Sequence, residues 1–282
     1  MFAMADGLID PDDPASRFVP EWRDDPTRAE ITVRHLATHS SGVQDAEIYN
    51  AAHEDLPGWM GAFWRKDPDP FTVSRDEAPT IFRPGTDYHY SNPGMAMLAY
   101  TVTASLKGQA HEDIRSLLRS RLMEPIGVPD DAWSCGYGQT YDVAGLPLVA
   151  NWGGGGYTAR AVASLARLML SGGDWDGTPV VASEFVDQVL ANAGTPVPRR
   201  PDGNTAPACG LGWYTNADGN WAHVPKDAFA GAGAGNQVLL ASPSLDLIVV
   251  RNGSALEQGP GRAMSWRNVE QYLFNPLMET LG

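Results

Sequence analysis

At 282 residues the chain can bury a sizeable core, as one large domain or two small ones. Its 34 acidic side chains against 20 Lys and Arg give a net charge of −14. That balance excludes a nucleic-acid partner, because phosphate binding needs clustered cations. Apolar content of 43% with 30 Gly and 22 Pro indicates a loop-rich globular protein. Cys135 and Cys209 are too few for a disulfide scaffold and read as two buried thiols, although one bridge is also open. No apolar run is long enough to span a membrane, and the first residues lack the basic and apolar regions of a signal peptide. The compartment stays open.

In chain order, Met1, Phe2, Met4 and Ala5 have helical spacing, with Gly7 as the residue that ends the turn. No capping residue precedes them, so the expectation is a chain that begins inside a longer helix. Ile31 to His39 predicts a short helix with Thr32 as N-cap and Gly42 as its close. Residues 50–80 carry Trp59, Phe63, Trp64, Phe71 and several prolines, which predicts an irregular helical insertion. Pro93 at a first helical position opens a helix with Met95, Leu98, Val102 and Leu106 on one side, closing at Gly108.

Ile114, Leu117, Leu118 and Leu122 predict the next helix, ending near Gly127. A Gly-rich stretch ending in Gly153–Gly156 then leads to an apolar helix from Thr158 to Gly172 and Gly173. The segment from Gly194 to Pro207 reads as a proline-rich surface loop. Beyond it the period changes to two, which predicts strands over 211–215, 236–241 and 245–251 with a turn at Pro243 and Ser244. A final helix contains Met264, Val269, Tyr272 and Leu273. Helices followed by a late antiparallel meander and a closing helix make an α+β layered protein. The expected division is one domain over 1–282, with a helical and irregular subdomain at about 45–160 and the C-terminal strands and closing helix at about 208–282.

Several blocks together resemble the serine β-lactamase and penicillin-binding protein superfamily, in its class C and esterase-like branch. They are GLIDPDDPASRFVPEW, ITVRHLATHSSGV, YHYSNPGMAMLAY, GGGGYTARAVASLARLML, GLGWYTN and GAGNQVLLASPSLDLIVV, all in the family's order. The resemblance implies a β-lactamase/transpeptidase-like fold, an antiparallel sheet flanked by helices plus a helical subdomain. It also implies a serine hydrolase that cleaves an ester or amide through an acyl-enzyme, with no cofactor and no metal. By the same resemblance the first motif, Ser-x-x-Lys, falls roughly ten residues before Met1. The N-terminal strands and nucleophile helix are therefore expected to be missing, and this exact chain is expected to be inactive. Within the 282 residues the lysines are Lys66, Lys107 and Lys226, preceded at that spacing by Phe63, Ala104 and His223.

By resemblance, Tyr90 is the tyrosine of the Tyr-x-Asn motif and moves a proton, and Asn92 binds the substrate amide. A free phenol has a pKa of about 10, and lowering it by three units takes about 4 kcal/mol of favourable charge interaction. Without the motif lysine Tyr90 is expected to stay neutral and act as a donor. Read without the family, Tyr88 and Tyr90 are half-buried turn aromatics, and Asn92 is the N-cap before Pro93. The third motif falls at Gly231, Ala232 and Gly233. Small residues there let substrate lie along a strand, and the amide of Ala234 is placed to join an oxyanion hole. Lys226 cannot supply that motif's missing cation, because six strand residues span about 20 Å. This favours an ester or a non-acidic amide over a β-lactam. A plain glycine hairpin is the alternative.

His35 and His39 lie four apart on the short helix, a spacing that can hold zinc, but no glutamate stands between them in the metalloprotease pattern. Ser40 and Ser41 read as turn-capping hydroxyls. Asp45 and Glu47 read as a solvated acidic face. The functional alternative to a hydrolase is a non-catalytic relative that keeps the cleft to bind a ligand, with a metal-dependent hydrolase third.

Overall fold

The computed structural model describes residues 1–48, 51–198, 206–254, 256 and 265–281. The chain forms two compact units, Met1–Tyr157 and Thr158–Gly282.

The first unit is mostly helical. Helix α1 (Phe2–Ala5) ends as its spacing predicts, with Gly7 at positive φ and Leu8 N–H returning to the Ala3 carbonyl at 2.9 Å. Helix α2 (Val33–Ala37) is capped by Thr32, whose hydroxyl accepts the His35 N–H while the His35 ring accepts the Thr32 N–H. It closes at Thr38, not at Gly42. Gly42 serves a close approach instead: at φ +81° a Cβ would lie 2.3 Å from the Phe82 carbonyl oxygen. Helices α3 (Gly58–Arg65) and α4 (Pro70–Asp76) form the insertion read from the aromatic residues. Phe63 and Phe71 are fully buried in one cluster with Trp22, Leu36, Met97 and Tyr100.

Helix α5 (Asn92–Ser105) corrects the expected stripe. Its fully buried residues are Ala96, Met97, Ala99, Tyr100, Thr101 and Thr103, whereas Met95, Leu98 and Val102 are only half-buried. A helix enclosed on nearly every side carries no single apolar stripe for the sequence to reveal. Helix α6 (Ile114–Leu118) continues into a wider turn over 119–123. Short strands β1 (Trp133–Ser134), β2 (Tyr141–Val143), β3 (Leu146–Leu148) and β4 (Gly156–Tyr157) pair as β1 with β4 and β2 with β3.

The second unit is a sheet with helices. It comprises α7 (Ala159–Leu170), the hairpin β5 (Asp174–Trp175) and β6 (Thr178–Pro179), α8 (Ser183–Leu190), and five strands. These are β7 (Ala208–Cys209), β8 (Tyr214–Thr215), β9 (Phe229–Gly233), β10 (Gln237–Ser242) and β11 (Leu247–Arg251), paired antiparallel in the order β11-β10-β9-β8-β7. The expected strand 211–215 splits, because Gly212 at φ +80° turns the chain and the Gly210 N–H bonds the Trp213 carbonyl at 2.8 Å. Strand β10 starts one residue later than expected, with Asn236 at φ +55° in the turn. A 3₁₀ turn over Pro243–Leu245 shortens the start of β11.

Alternation along β9 and β10 sends Ala230, Val238 and Leu240 to one face, where they meet Trp221, Trp266, Val269 and Phe274. The last three come from α9 (Trp266–Val269) and the wide turn after it, which leads into α10 (Asn275–Leu281). Tyr272, expected on the apolar side, is 49% exposed, and Met264 lies outside the described residues. Helix α7 packs against β10 and β11 without joining that cluster, which puts it over the opposite face.

Between β8 and β9 the chain wanders, and one side chain ties it down. Asn216, fully buried, donates Nδ2 to the carbonyls of Trp221 (3.1 Å), Val224 (2.8 Å) and Pro225 (3.2 Å) and accepts the Trp221 N–H at 2.9 Å. Both cysteines are buried free thiols, and burial pushes Cys209 up to about 12.

Candidate functional site

The Tyr90 wall belongs to the first unit and starts from a backbone irregularity. His39 follows α2 at φ +56°, a conformation a non-glycine residue holds only when its surroundings over-determine it. Its carbonyl accepts the His89 N–H at 2.8 Å and its Nδ1 accepts the Ser91 N–H at 3.2 Å, so the loop after α2 is stitched to the segment before α5. The imidazole stacks on Tyr90 (centroids 4.4 Å apart, planes at 31°) and meets Tyr88 edge-on at 5.9 Å. Burial, reinforced by His89, depresses its pKa to about 4.

Tyr90 itself is 43% exposed. Desolvation first, and then the Asp45 and Glu47 carboxylates and the Tyr137 phenol, lift its pKa to about 12. The phenol is therefore neutral at physiological pH and can donate a hydrogen bond.

The cap of α5 is Ser91 rather than Asn92: Ser91 Oγ accepts the Gly94 N–H at 2.8 Å, and Pro93 moves to the second helical position. Asn92 is released from capping and is buried at 4% exposure. Its backbone N–H and its Nδ2 both donate to Asp45 Oδ1, at 2.8 and 3.0 Å. The same oxygen accepts the Ala46 N–H at 2.8 Å, and the Asp45 N–H donates to His89 Nε2 at 3.3 Å. Asp45 is thus not a solvated residue but the anchor of the motif, half-buried with its pKa raised first by desolvation. Glu47 is exposed and lies 3.4 Å from His53. No local pattern could have singled out Asp45, because its partner is 47 residues away and helical or strand periodicity does not reach that far.

Other candidates fall elsewhere. His35 Nδ1 serves the α2 capping box, at 3.2 Å from the Thr32 nitrogen. Ser40 Oγ bonds Thr38 Oγ1 at 2.9 Å in the interior, and Ser41 Oγ accepts the Val43 N–H at 3.3 Å, so both hydroxyls stabilise the turn. Lys66 donates to Gln139 Oε1 at 2.7 Å and sits 4.4 Å over the Tyr137 ring. Tyr137 is a second exposed aromatic at positive φ, and Gly153 and Gly154 give it room, since a Cβ on either would meet it within 2.5 Å.

In the second unit, Gly231, Ala232 and Gly233 lie on β9 rather than in a flexible hairpin. They pair with Leu239, Val238 and Gln237 of β10. On the other side β8 pairs only with Phe229 and Ala230, so the glycine-rich end of β9 runs past the end of β8. Gly231 has open space around it: a Cβ would meet Leu239 and Trp213 only at 3.9 Å. Ala234 is exposed in the turn after β9. That turn is held by Arg251, which donates to the carbonyls of Asn236 (2.7 Å) and Gly235 (3.3 Å), and by Asn236 Oδ1, which accepts the Ser265 N–H at 3.0 Å.

The Beta-lactamase family model matches residues 1–273, and the chain belongs to that family. Its fold is shared with the unliganded simvastatin synthase of Aspergillus terreus (TM-score 0.66, 17% identity, covering 98% of this chain and 79% of that one). It is shared too with a penicillin-binding protein homolog from Caulobacter crescentus (TM-score 0.62, 16% identity, 95% and 76% covered). A family VIII carboxylesterase matches with TM-score 0.63 at 16% identity, over 92% of this chain and 74% of that one. No curated protein matches the chain. The α+β, β-lactamase/transpeptidase-like reading of the sequence therefore holds, and the family places the chain among hydrolase-type proteins.

Proposed function

We propose that the chain is the substrate-receiving part of a serine hydrolase that cleaves a small ester or amide through an acyl-enzyme. The observation that carries this reading is the Tyr90–Asn92 wall, where an exposed neutral phenol stands beside an amide held by Asp45. Within the first unit Tyr90 donates to the leaving group or carbonyl and Asn92 contacts the substrate; in the second unit, taken by itself, Gly231, Ala232 and Gly233 offer a strand edge and Ala234 an amide of the oxyanion-donor kind. An ester is favoured by the absence of a cation at Gly231 and by the carboxylesterase among the fold's neighbours. No serine among the 282 residues precedes a lysine by three positions, so none of them is assigned here as the family's nucleophile. That same observation favours a second reading, a non-catalytic relative that binds a ligand.

Intact-mass measurement after incubation with a fluorophosphonate or a penicillin tests the nucleophile assignment. No adduct is expected, and one stoichiometric adduct would overturn it. The reading frame preceding the Met1 codon separates the two functions. An in-frame Ser-x-x-Lys supports the hydrolase, and a stop codon directly before Met1 supports the binder.

A further inference from the structure

Helix α6, the wider turn that follows it and strand β1 border a cavity of about 240 Å³ within the first unit. Arg115, Arg119, Trp133 and Cys135 are among the residues that line it. Arg115 Nη1 donates to Thr140 Oγ1 at 3.0 Å, and its Nη2 donates to the carbonyls of Cys135 (3.3 Å) and Gln139 (2.7 Å). These bonds fix the guanidinium across the Gly136–Gly138 turn, but every acceptor is neutral, so its charge is not cancelled. Arg119 pairs with Asp130 through Nε at 2.8 Å, which leaves its two terminal NH₂ groups unpaired among the described residues. Cys135 does not neutralise the arginines either. Burial raises the pKa of its thiol against the pull of Arg115, so it stays protonated at neutral pH. Trp133 adds a further donor: it is 6% exposed, and its indole N–H is buried with no acceptor among the described residues. A buried N–H without an acceptor costs the fold its desolvation, so such a group in a native protein calls for a partner.

We propose that this cavity binds the oxyanion head group of a small molecule, a phosphate or a carboxylate, gripped by Arg115 and Arg119 with Trp133 as a further donor. Two guanidinium groups exclude a cation, and an uncancelled arginine is a local exception in a chain of net charge −14. A planar guanidinium matches the paired oxygens of such a head group, and bonds between charged partners are about twice as strong as neutral ones. The indole N–H is covered, so it joins the anion through a small shift of the ring in the cavity wall. The volume lies below the range of drug-sized ligands, which limits the rest of the molecule to a short chain. The site is separate from the Tyr90–Asn92 wall and stands whether or not substrate binds there.

The test is a titration of the ¹⁵N-labelled full chain with sodium phosphate, sodium acetate and sodium chloride at matched ionic strength. The Trp133 indole signal is followed, assigned through its own backbone and checked by its loss in Trp133→Phe. Phosphate or acetate should move it saturably, and chloride should not. Whichever of the two binds more tightly names the head group. A chloride response equal to that of both oxyanions is the mark of plain screening and overturns the proposal. An indole signal that none of the three salts moves overturns it as well.

Two variants separate a specific grip from general charge. Arg119 is exposed, so Arg119→Gln removes its charge while leaving Arg115 and the Gly136–Gly138 turn in place. It should weaken binding of the preferred anion by about tenfold, the worth of one charge-assisted hydrogen bond. Arg119→Lys restores the charge without the planar fork and should recover only part of that loss. Unchanged affinity in Arg119→Gln overturns the proposal, and the salt series on the unaltered chain does not depend on how any variant folds.

Discussion

The Tyr90–Asn92 segment of the first unit and the Gly231–Gly233 strand end of the second, each a candidate from the sequence, are built in opposite ways. The first is a web of side chains in which His39, His89, Ser91, Asn92 and Asp45 each spend a polar group on another member or on its backbone. The second is bare main chain, held in register by β10 and free of side chains that could be mispaired. A web of polar groups fixes orientation but fails when one member goes, because a buried donor left without an acceptor costs its full desolvation penalty. A glycine strand has little to lose.

The contrast is sharpest at Asp45. Asp45→Ala removes the acceptor of three N–H groups and should destabilise the first unit by about 3–5 kcal/mol, read as a shift in the denaturation midpoint. A loss below about 1 kcal/mol would show that the web carries no stability.

Next in size is a pH effect at His39. Its folded pKa of about 4 lies below the ordinary 6.5, so the neutral ring is the form the fold keeps. The stabilisation is fully present above pH 6.5 and disappears as pH falls through about 4, amounting to at most about 3 kcal/mol. Urea titrations across that window should show the slope in the unaltered chain and a flatter one in His39→Asn. Asp45, with its raised pKa, works in the opposite sense: its contribution is present at low pH and lost as pH rises.

The smallest effect belongs to the strand. A Cβ at Gly231 meets nothing closer than 3.9 Å and the residue is not at positive φ, so Gly231→Ala should be neutral or stabilising by up to about 1 kcal/mol. A loss above about 1 kcal/mol would mean that the strand end is as closely packed as the Tyr90–Asn92 segment and has no open space at Gly231.

How much of this was legible follows from range. Thr32 as a cap, Gly7 at a helix end and the helix from Thr158 are matters of three or four residues, and the sequence carries such signals directly. The sheet was legible in outline, with strand ends misplaced by Gly212 and Asn236, whose positive φ values no alternation of apolar residues announces. Helix α5 departs from its apolar pattern because alanines and threonines are buried alongside Met97 and Tyr100, while Met95 and Leu98 are only half-buried. At the candidate site the family's motif marks Tyr90 and Asn92, whereas Asp45 reads from the sequence as a surface charge. A hydrogen bond spanning 47 residues exists only once the loop after α2 has met the segment before α5.

The Asn216 staple bears on a different property, susceptibility to cleavage. The segment 217–227 has no regular structure of its own and exposes Lys226, which by sequence alone is an inviting site for trypsin. A protease must first draw the scissile segment into an extended strand within its own cleft. Here the carbonyl of the neighbouring Pro225 is bound by the Asn216 amide, which also holds Val224 and Trp221. Cutting after Lys226 therefore waits for local opening of that carboxamide, and the loop should survive limited digestion as though it were part of the sheet it connects.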